Sequence, residues 1–333
     1  MTRLRSGSLP LLLLFALAAT FVVFPARAQH SGALGSFNVF KMDASTCAAA
    51  MGGTFAAVPD GGDAGAVFYH PALPNERSHN ALSANYLNHL NGINAGFLAY
   101  GRSVEGVGTA SAGVRFFSYG NLEGRNAQGY ETGDFGASDV ALTLGLSREL
   151  TERLRVGTNV HAVYGSIESS SATALATDLG LAYRLAAQQL TLSASLNQWG
   201  AVLDPYAGDE GTELPMDLRL GVSKKLAHLP LRLSATGFNL LDLGQGPDGA
   251  SSFDQVARHL ALGAELTPIE VLALRVGYSH RRQEELATGD SRVDPAGLSA
   301  GFGLAISPVS VDYAFSSWSA LGGLHQFGLR VQL

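Results

Sequence analysis

Histidine, serine and aspartate are the residues of this chain whose types could support catalysis. A Ser-His-Asp triad needs three side chains within hydrogen-bonding reach of one another, and a zinc-protease helix carries the pattern His-Glu-x-x-His. None of the histidines lies in such a motif; they are His30, His70, His79, His89, His161, His228, His259, His280 and His325. The sequence therefore predicts no catalytic residues, and we expect that the protein is not an enzyme.

Metal-binding motifs are also missing from the sequence. Asp60 and Asp63 flank two glycines, but a dedicated calcium loop needs more oxygen ligands at fixed spacing, so an acidic turn is the better interpretation. Cys47 is the single cysteine and cannot form an internal disulfide. With no phosphate-binding loop and no paired-cysteine motif, the sequence predicts no metal site and no cofactor.

The elements that must position any functional residue have the pattern of β-strands. Apolar and polar residues alternate, which gives each strand one apolar and one polar face. In one stretch, Leu272, Leu274 and Val276 alternate with Ala273, Arg275 and Gly277. The alternation predicts about 14 strands, near 80–87, 92–100, 107–117, 138–148, 154–164, 174–184, 189–198, 215–223, 230–239, 258–267, 271–280, 296–306, 308–316 and 324–333.

The connectors between these strands alternate in length from the third strand onward. The long connectors are 118–137, 165–173, 199–214, 240–257, 281–295 and 317–323, and the short ones are 149–153, 185–188, 224–229, 268–270 and Ser307. Outer-membrane barrels have short periplasmic turns and long exterior loops, whereas a soluble sandwich has no reason to sort its loops in this way. The fold class predicted for 80–333 is therefore all-β: a transmembrane antiparallel barrel integral to the bacterial outer membrane. Its long loops are expected to be extracellular, and both termini periplasmic.

Residues 1–28 have the pattern of a signal peptide. Arg3 and Arg5 precede the apolar run 9–24, and Ala26-Arg27-Ala28 forms a small-x-small cleavage site. An uncleaved anchor helix is the weaker alternative, because the apolar run is shorter than the ~20 residues of a membrane span. Removing the three arginines of this segment from 22 basic residues leaves 19 against 28 acidic ones, a net charge of −9. This acidic balance argues against nucleic acid as a partner.

Residues 29–79 do not alternate, and we predict that they form a plug in the lumen. A barrel wider than about eight strands is not filled by its own side chains. Asp43 is expected to cap a short helix over 45–51 that ends at Gly52-Gly53. The inward faces carry charges of both signs, which we expect to pair with one another: Arg155, Asp178, Asp217, Arg219, Glu265, Arg275, Asp312 and Arg330.

The mature chain resembles the PorV/PorQ family of outer-membrane proteins of the type IX secretion system. The run 45–53, Ser-Thr-Cys-Ala-Ala-Ala-Met-Gly-Gly, is similar to the family signature, and the stretches 82–88 with 93–94, 133–139 and 214–230 also look like the family. Two positions depart from it, because Cys47 stands where arginine is usual and His70 replaces asparagine before Pro71-Ala72-Leu73. The plug signature residues here are Ser45, Gly52, Gly53 and Pro71.

The resemblance implies a fold and a role. The fold would be that of the fatty-acid transporter FadL, with fourteen strands and an N-terminal plug. The role would be non-enzymatic: docking a PorZ-like surface protein in an attachment complex with PorU-type and PorV-type components, which links cargo to lipopolysaccharide. The alternatives are a FadL-like transporter of hydrophobic small molecules and, much weaker, a lipid hydrolase at the barrel rim.

The long loops hold the expected partner surface. Tyr130 lies in the middle of a predicted long loop, and aromatic residues favour interfaces. Arg281 and Arg282 begin another long loop, where they are candidates for a charged partner or for lipopolysaccharide phosphates, although a solvated loop is the simpler interpretation.

Overall fold

Fourteen antiparallel strands close into a barrel in which each strand pairs with its neighbours in sequence and β1 pairs with β14. In this computed structural model the described residues are 36–58, 62–88, 92–126, 128–208, 211–243, 252–286, 294–318 and 322–333; the predicted signal peptide and Asp60 lie outside them. The strands are β1 Ala81–Asn88, β2 Asn94–Val104, β3 Gly108–Arg125, β4 Glu131–Glu149, β5 Leu154–Ile167, β6 Ser170–Leu185, β7 Leu190–Asp204, β8 Asp217–Lys225, β9 Leu231–Gly237, β10 Leu260–Ile269, β11 Leu272–Ser279, β12 Leu298–Ile306, β13 Val309–Ser317 and β14 Gly323–Gln332.

The outer wall is apolar and the inner wall is polar, the reverse of a soluble protein. On β4, Leu142 and Leu144 are 57% and 65% exposed, whereas the intervening Thr143 is buried. A continuous exposed apolar band on a closed sheet is what a barrel presents to lipid, because closure leaves no unpaired strand edge in the bilayer. The predicted transmembrane barrel is therefore confirmed. Among the described residues, no helix combines the length and hydrophobicity needed to cross a bilayer.

The two rims differ, and we name them by their connectors. The turn rim has the short connections 105–107, 150–153, 186–189, 226–230, 270–271 and 307–308, and the loop rim has the remaining ones. The short connectors predicted from the sequence are confirmed. The first and last strands begin and end at the turn rim, since β1 runs away from it and β14 returns to it.

Two of the predicted long loops are wrong. Residues 118–137 are mostly the outer parts of β3 and β4, which pair from Thr109–Ser147 to Arg125–Glu131, and 165–173 contains the ends of β5 and β6. These strand ends rise beyond the apolar band, and most residues of 120–135 are exposed on both faces. Where water wets both faces of a hairpin, nothing requires apolar residues to alternate, so the sequence pattern ends before the strand does.

The N-terminal segment lies inside the barrel as a plug. Its helix α1 spans Thr46–Ala50, and three short 3-10 helices span Asn38–Phe40, Ala64–Phe68 and Glu76–Ser78. Phe37, Val39, Phe55 and Val67 of the plug are almost fully buried and form one core with wall residues such as Phe97 and Val163. Burial of one such side chain contributes about 1.5–3 kcal/mol, so this core holds the plug against the wall.

Inward-facing glycines let the plug backbone approach the wall. A Cβ at Gly277 would overlap the backbone at Met51 and Gly52, and one at Gly157 would overlap the backbone at Pro71 and Ala72. An added Cβ would also come too close to plug atoms at inward-facing glycines of several other strands: Gly101, Gly113, Gly180, Gly221, Gly263, Gly301 and Gly328. Close packing of the plug thus accounts for these inward-facing glycines.

Two short helices lie at the loop rim within segments that the sequence predicted as loops. Helix α2 spans Ser252–Ala257 and helix α3 spans His280–Leu286. Both helices lie beside the mouth of the lumen, where Arg258, just after α2, forms an ion pair with Glu284 of α3 at 3.4 Å.

Candidate functional site

A cavity of about 670 Å³ lies between the plug and the loop rim. Its position follows from the strand ends that border it, such as Leu87 at the end of β1 and Ser279 at the end of β11. Both plug and loops contribute apolar side chains to its lining: Phe40, Met42, Phe68, Leu214, Met216, Phe238, Leu241 and Trp318. The plug and the loops together therefore supply the apolar surface that the polar inner wall lacks.

A buried arginine stabilises two aromatic side chains that line the cavity on its plug side. The Arg115 guanidinium of β3 lies between the rings of Phe40 and Phe68, with centroid distances of 5.0 and 4.7 Å. Arg115 Nη2 also donates to the Phe68 carbonyl at 3.4 Å. A desolvated cation sandwiched by two rings is favourable by about 2 kcal/mol or more, which fixes two of the aromatic side chains that line the cavity.

Charged side chains of the plug and of α3 form one edge of the cavity, and the lining also includes the charged residues Glu213, Asp217, Arg219 and Asp242. Arg282 of α3 makes an ion pair with Asp43 of the plug, and Arg281 donates to Glu285 at 2.7 Å. Lys41 lies nearby, and its pKa is lowered by desolvation and by the adjacent Arg281. The two arginines predicted to meet an external partner therefore line the cavity, and one of them ties the loop rim to the plug. Asp43 is accordingly not the helix cap expected from the sequence, since Ser45 occupies the N-cap position of α1.

Tyr130, the other predicted partner residue, lies at the tip of the hairpin that joins β3 and β4. Its side chain is 73% exposed and is not part of the cavity lining. The turn beneath it is closed by Asn126, whose side-chain oxygen accepts from the Tyr130 N–H at 2.9 Å. An aromatic ring held out on a projecting hairpin is free to meet a partner.

The plug signature residues are structural. The Ser45 hydroxyl donates to Asp63 at 3.0 Å, and Ser83 of β1 donates to the same carboxylate at 2.6 Å, so Asp63 anchors the plug to the wall. Gly52 and Gly53 have φ of 70° and 87° and end α1 as predicted. Pro71 packs against Gly157 and Gly180 on the wall.

A row of alternating charges crosses the inner wall from β9 to β14. Arg232 pairs with Glu265 at 3.3 Å, Glu265 with Arg275 at 2.8 Å, Arg275 with Asp312 at 2.7 Å and Asp312 with Arg330 at 3.1 Å. The other inward charges named from the sequence have partners too: Arg155 forms an ion pair with Glu149, Arg219 forms one with Asp217, and Asp178 is hydrogen-bonded to His161. The prediction of a self-satisfied charge network is confirmed.

Two arrangements resemble catalytic motifs but do not expose a nucleophile. Thr143, His161 and Asp178 form a hydrogen-bonded row, with distances of 2.9 and 2.7 Å, yet all three are buried, and the ring of Phe40 packs against His161. Gly297 to Gly301 has the spacing Gly-x-Ser-x-Gly, but its Ser299 lies in β12 and donates to the Ala50 carbonyl of the plug at 3.1 Å. The Thr143 hydroxyl bonds to His161 within the wall and the Ser299 hydroxyl bonds to the plug, so neither forms an accessible nucleophilic site.

The closed barrel, its luminal plug and its apolar outer band define a plugged transmembrane β-barrel. The structure is similar to the toluene transporter TodX of Pseudomonas putida, with a TM-score of 0.55, 16% identity and coverage of 90% of this chain and 97% of TodX. It is also similar to the CymD monoaromatic hydrocarbon channel, with a TM-score of 0.51, 14% identity and coverage of 89% and 97%.

A FadL homologue of Pseudomonas aeruginosa gives a TM-score of 0.50 at 11% identity, over 86% of this chain and 98% of the homologue. No protein-family model and no curated protein sequence matches the chain. At these identities the likeness concerns the fold. The FadL-like fold expected from the sequence resemblance is confirmed, and the assignment to type IX secretion stays a prediction.

Proposed function

We propose that this protein is an outer-membrane channel for small hydrophobic molecules, with its loop rim facing the exterior and both termini in the periplasm. The cavity between plug and loop rim is the observation that carries the proposal. Its volume of about 670 Å³ falls within the range of ~300–1,000 Å³ typical of small-molecule sites. Two structurally similar proteins bear the names toluene transporter and monoaromatic hydrocarbon channel, which supports this substrate class.

The arrangement of the lumen suits binding of an apolar molecule in the cavity rather than its free diffusion through the barrel. Below the cavity, the plug core packs against the wall, so an open aqueous path is not expected through that part of the barrel. An apolar molecule leaving water for the cavity gains about 25 cal/mol for each Å² of apolar surface that it buries. The Arg282–Asp43 ion pair joins the cavity edge to the plug, so a bound molecule would contact both parts that must move for passage.

Docking of a PorZ-like surface protein for type IX cargo attachment is the second candidate. The feature that favours it is the β3–β4 hairpin, which rises beyond the apolar band and presents Tyr130 at its tip. This role rests on the sequence resemblance, and it uses a surface different from the cavity.

A deletion strain complemented with single variants separates the two functions. Met216 lines the cavity, and Met216→Trp should fill part of it; Tyr130→Ala removes the exposed ring but leaves the cavity intact. Channel function predicts that uptake of radiolabelled toluene falls at least about fivefold with Met216→Trp and is unchanged with Tyr130→Ala, a loss equivalent to about 1 kcal/mol. If deletion leaves uptake unchanged but strips cargo from the cell surface, the channel proposal is wrong and the docking role is favoured.

A further inference from the structure

Three metal-ligating side chains meet where α2 and α3 approach each other at the loop rim. Asp254 of α2 and His280 and Glu284 of α3 each offer one ligand atom, and these atoms all lie within 4.8 Å of one another. His280 Nε2 is 3.7 Å from Asp254 Oδ1 and 3.6 Å from Glu284 Oε1. All three side chains are partly buried, and the cluster is separate from the cavity lining.

The spacing within this cluster fits a shared cation better than direct hydrogen bonds. A hydrogen bond between nitrogen and oxygen has a length of about 2.7–3.2 Å, shorter than either distance from His280. Two ligands of a tetrahedral zinc ion, each about 2.0–2.1 Å from the metal, lie roughly 3.3–3.4 Å apart. His280 Nε2 is a buried atom with no hydrogen-bond partner among the described residues. A metal ion bound to this nitrogen would provide the missing interaction.

The surroundings of His280 orient it as they would a ligand. Its other ring nitrogen, Nδ1, lies 3.0 Å from the Tyr278 hydroxyl. If Nδ1–H donates to that oxygen, Nε2 carries the lone pair toward the two carboxylates. Ligating histidines almost always donate their second N–H to an oxygen acceptor, most often a carboxylate, a backbone carbonyl or water. Glu284 follows His280 by four residues, so both project from one face of α3. Glu284 Oε2 faces Arg258 at 3.4 Å, and its other oxygen faces the cluster.

We propose that Asp254, His280 and Glu284 bind a divalent transition-metal ion, for which zinc is the probe. One nitrogen and two carboxylate oxygens suit zinc with a water in the remaining position. The ion would cross-link α2 to α3. Because α3 also supplies Arg281, Arg282 and Glu285 to the cavity edge, metal binding would fix one side of the cavity mouth. This inference stands on the cluster geometry and does not depend on the proposed transport.

The test is zinc binding to the purified, detergent-solubilised protein without a histidine tag, by competition with a chromophoric chelator. The proposal predicts one zinc ion per chain. His280→Gln, Glu284→Gln and Asp254→Asn should each weaken binding at least about 100-fold, since even the loss of an outer partner of a ligand costs about 10–100-fold. Tyr278→Phe removes such a partner and should weaken binding about tenfold.

His325 offers a matched control. Its Nδ1 lies 2.8 Å from the Tyr313 hydroxyl, the same kind of contact that His280 makes with Tyr278, but it is not part of the described metal-ligating group. His325→Gln should leave zinc binding unchanged. Heat-dependent gel mobility verifies that each variant barrel is folded. The proposal is overturned if the wild type does not bind one zinc ion per chain, or if folded His280→Gln binds zinc as tightly as the wild type.

Discussion

Cys47 is a natural reporter of plug position. Its side chain is buried in α1, and its thiol donates to Asp312 on the wall at 3.4 Å. Burial, together with the Asp312 charge, raises the pKa of the thiol well above its ordinary value, so little reactive thiolate forms. We predict that a maleimide labels the native protein at least about 100 times more slowly than the urea-unfolded protein. Equal rates in the two states would show that the plug does not occupy the lumen.

His70 makes the docked plug sensitive to acid. Its Nδ1 accepts from the Ala72 N–H, which leaves Nε2–H to donate to the Ala194 carbonyl of the wall at 3.1 Å. Burial lowers the pKa of this neutral imidazole to about 4, below the ordinary value of about 6.5. The docked state thus resists protonation, and its stability is full above pH 6.5 and decreases as the pH falls toward 4.

His70→Asn tests this dependence, because the amide can make similar hydrogen bonds without titrating. Between pH 7.5 and pH 5 the wild type should lose about 2 kcal/mol more of its free energy of unfolding than the variant does, as measured by urea unfolding in detergent. The same pH dependence in both proteins would mean that His70 is already protonated, or exposed, in the native state.

The sequence predicted which residues face the lumen, because this follows from the alternation within a single strand. It did not predict contacts between segments that are distant along the chain. The inward charges, such as Arg275 and Asp312, follow from alternation alone, and both are paired in the lumen. Arg282 was expected to face outward, because nothing in its neighbourhood indicates Asp43, which precedes it by 239 residues. A local pattern shows which face a side chain occupies, but it does not show which segment fills the space opposite.

At the level of elements, strand–plug contact depends on glycine. Gly277→Ala on β11 would place a methyl group against the backbone of Met51 and Gly52, whereas Gly96→Ala on β2 has nothing within 4 Å. Overpacking costs about 1–3 kcal/mol, and here displacement of the plug relieves it. We predict that Gly277→Ala speeds Cys47 labelling at least about fivefold and that Gly96→Ala does not change it. Labelling at the wild-type rate in both variants would contradict close contact between α1 and the wall.

The sequence predicts strands where contact with lipid requires alternating apolar residues. It does not predict the strand ends that lie outside the membrane-facing band. All of the strands were expected near their observed positions, because each must present apolar residues to the bilayer at every second position. The sequence did not predict the outer halves of β3 and β4, because both of their faces meet water. Helix α3 was not predicted either, because its residues His280–Leu286 are mostly polar and few. Since His280 was assigned to a strand end, its helical spacing of four residues from Glu284 was not recognised.

The whole molecule combines a rigid wall with a docked plug, and the cavity lies where the two meet the loop rim. No single strand reveals this cavity, because its apolar lining comes from Phe40 and Phe68 of the plug and from loop residues such as Leu214. The inward charges that alternation predicts do not indicate a site for a hydrophobic ligand. The plug and loops change that conclusion, so the transport hypothesis depends on tertiary structure that the strand pattern alone does not reveal.

Equilibrium binding of radiolabelled toluene to the purified protein tests the central claim most directly. The cavity-lining Met216→Trp and the control Leu229→Trp, whose exposed side chain lies at the turn rim, introduce the same bulky residue in different places. The proposed cavity predicts saturable binding that Met216→Trp weakens at least about tenfold, a change of about 1.4 kcal/mol, and that Leu229→Trp leaves unchanged. Absence of saturable binding, or equal binding by all three folded proteins, would contradict a hydrophobic ligand site between the plug and the loop rim.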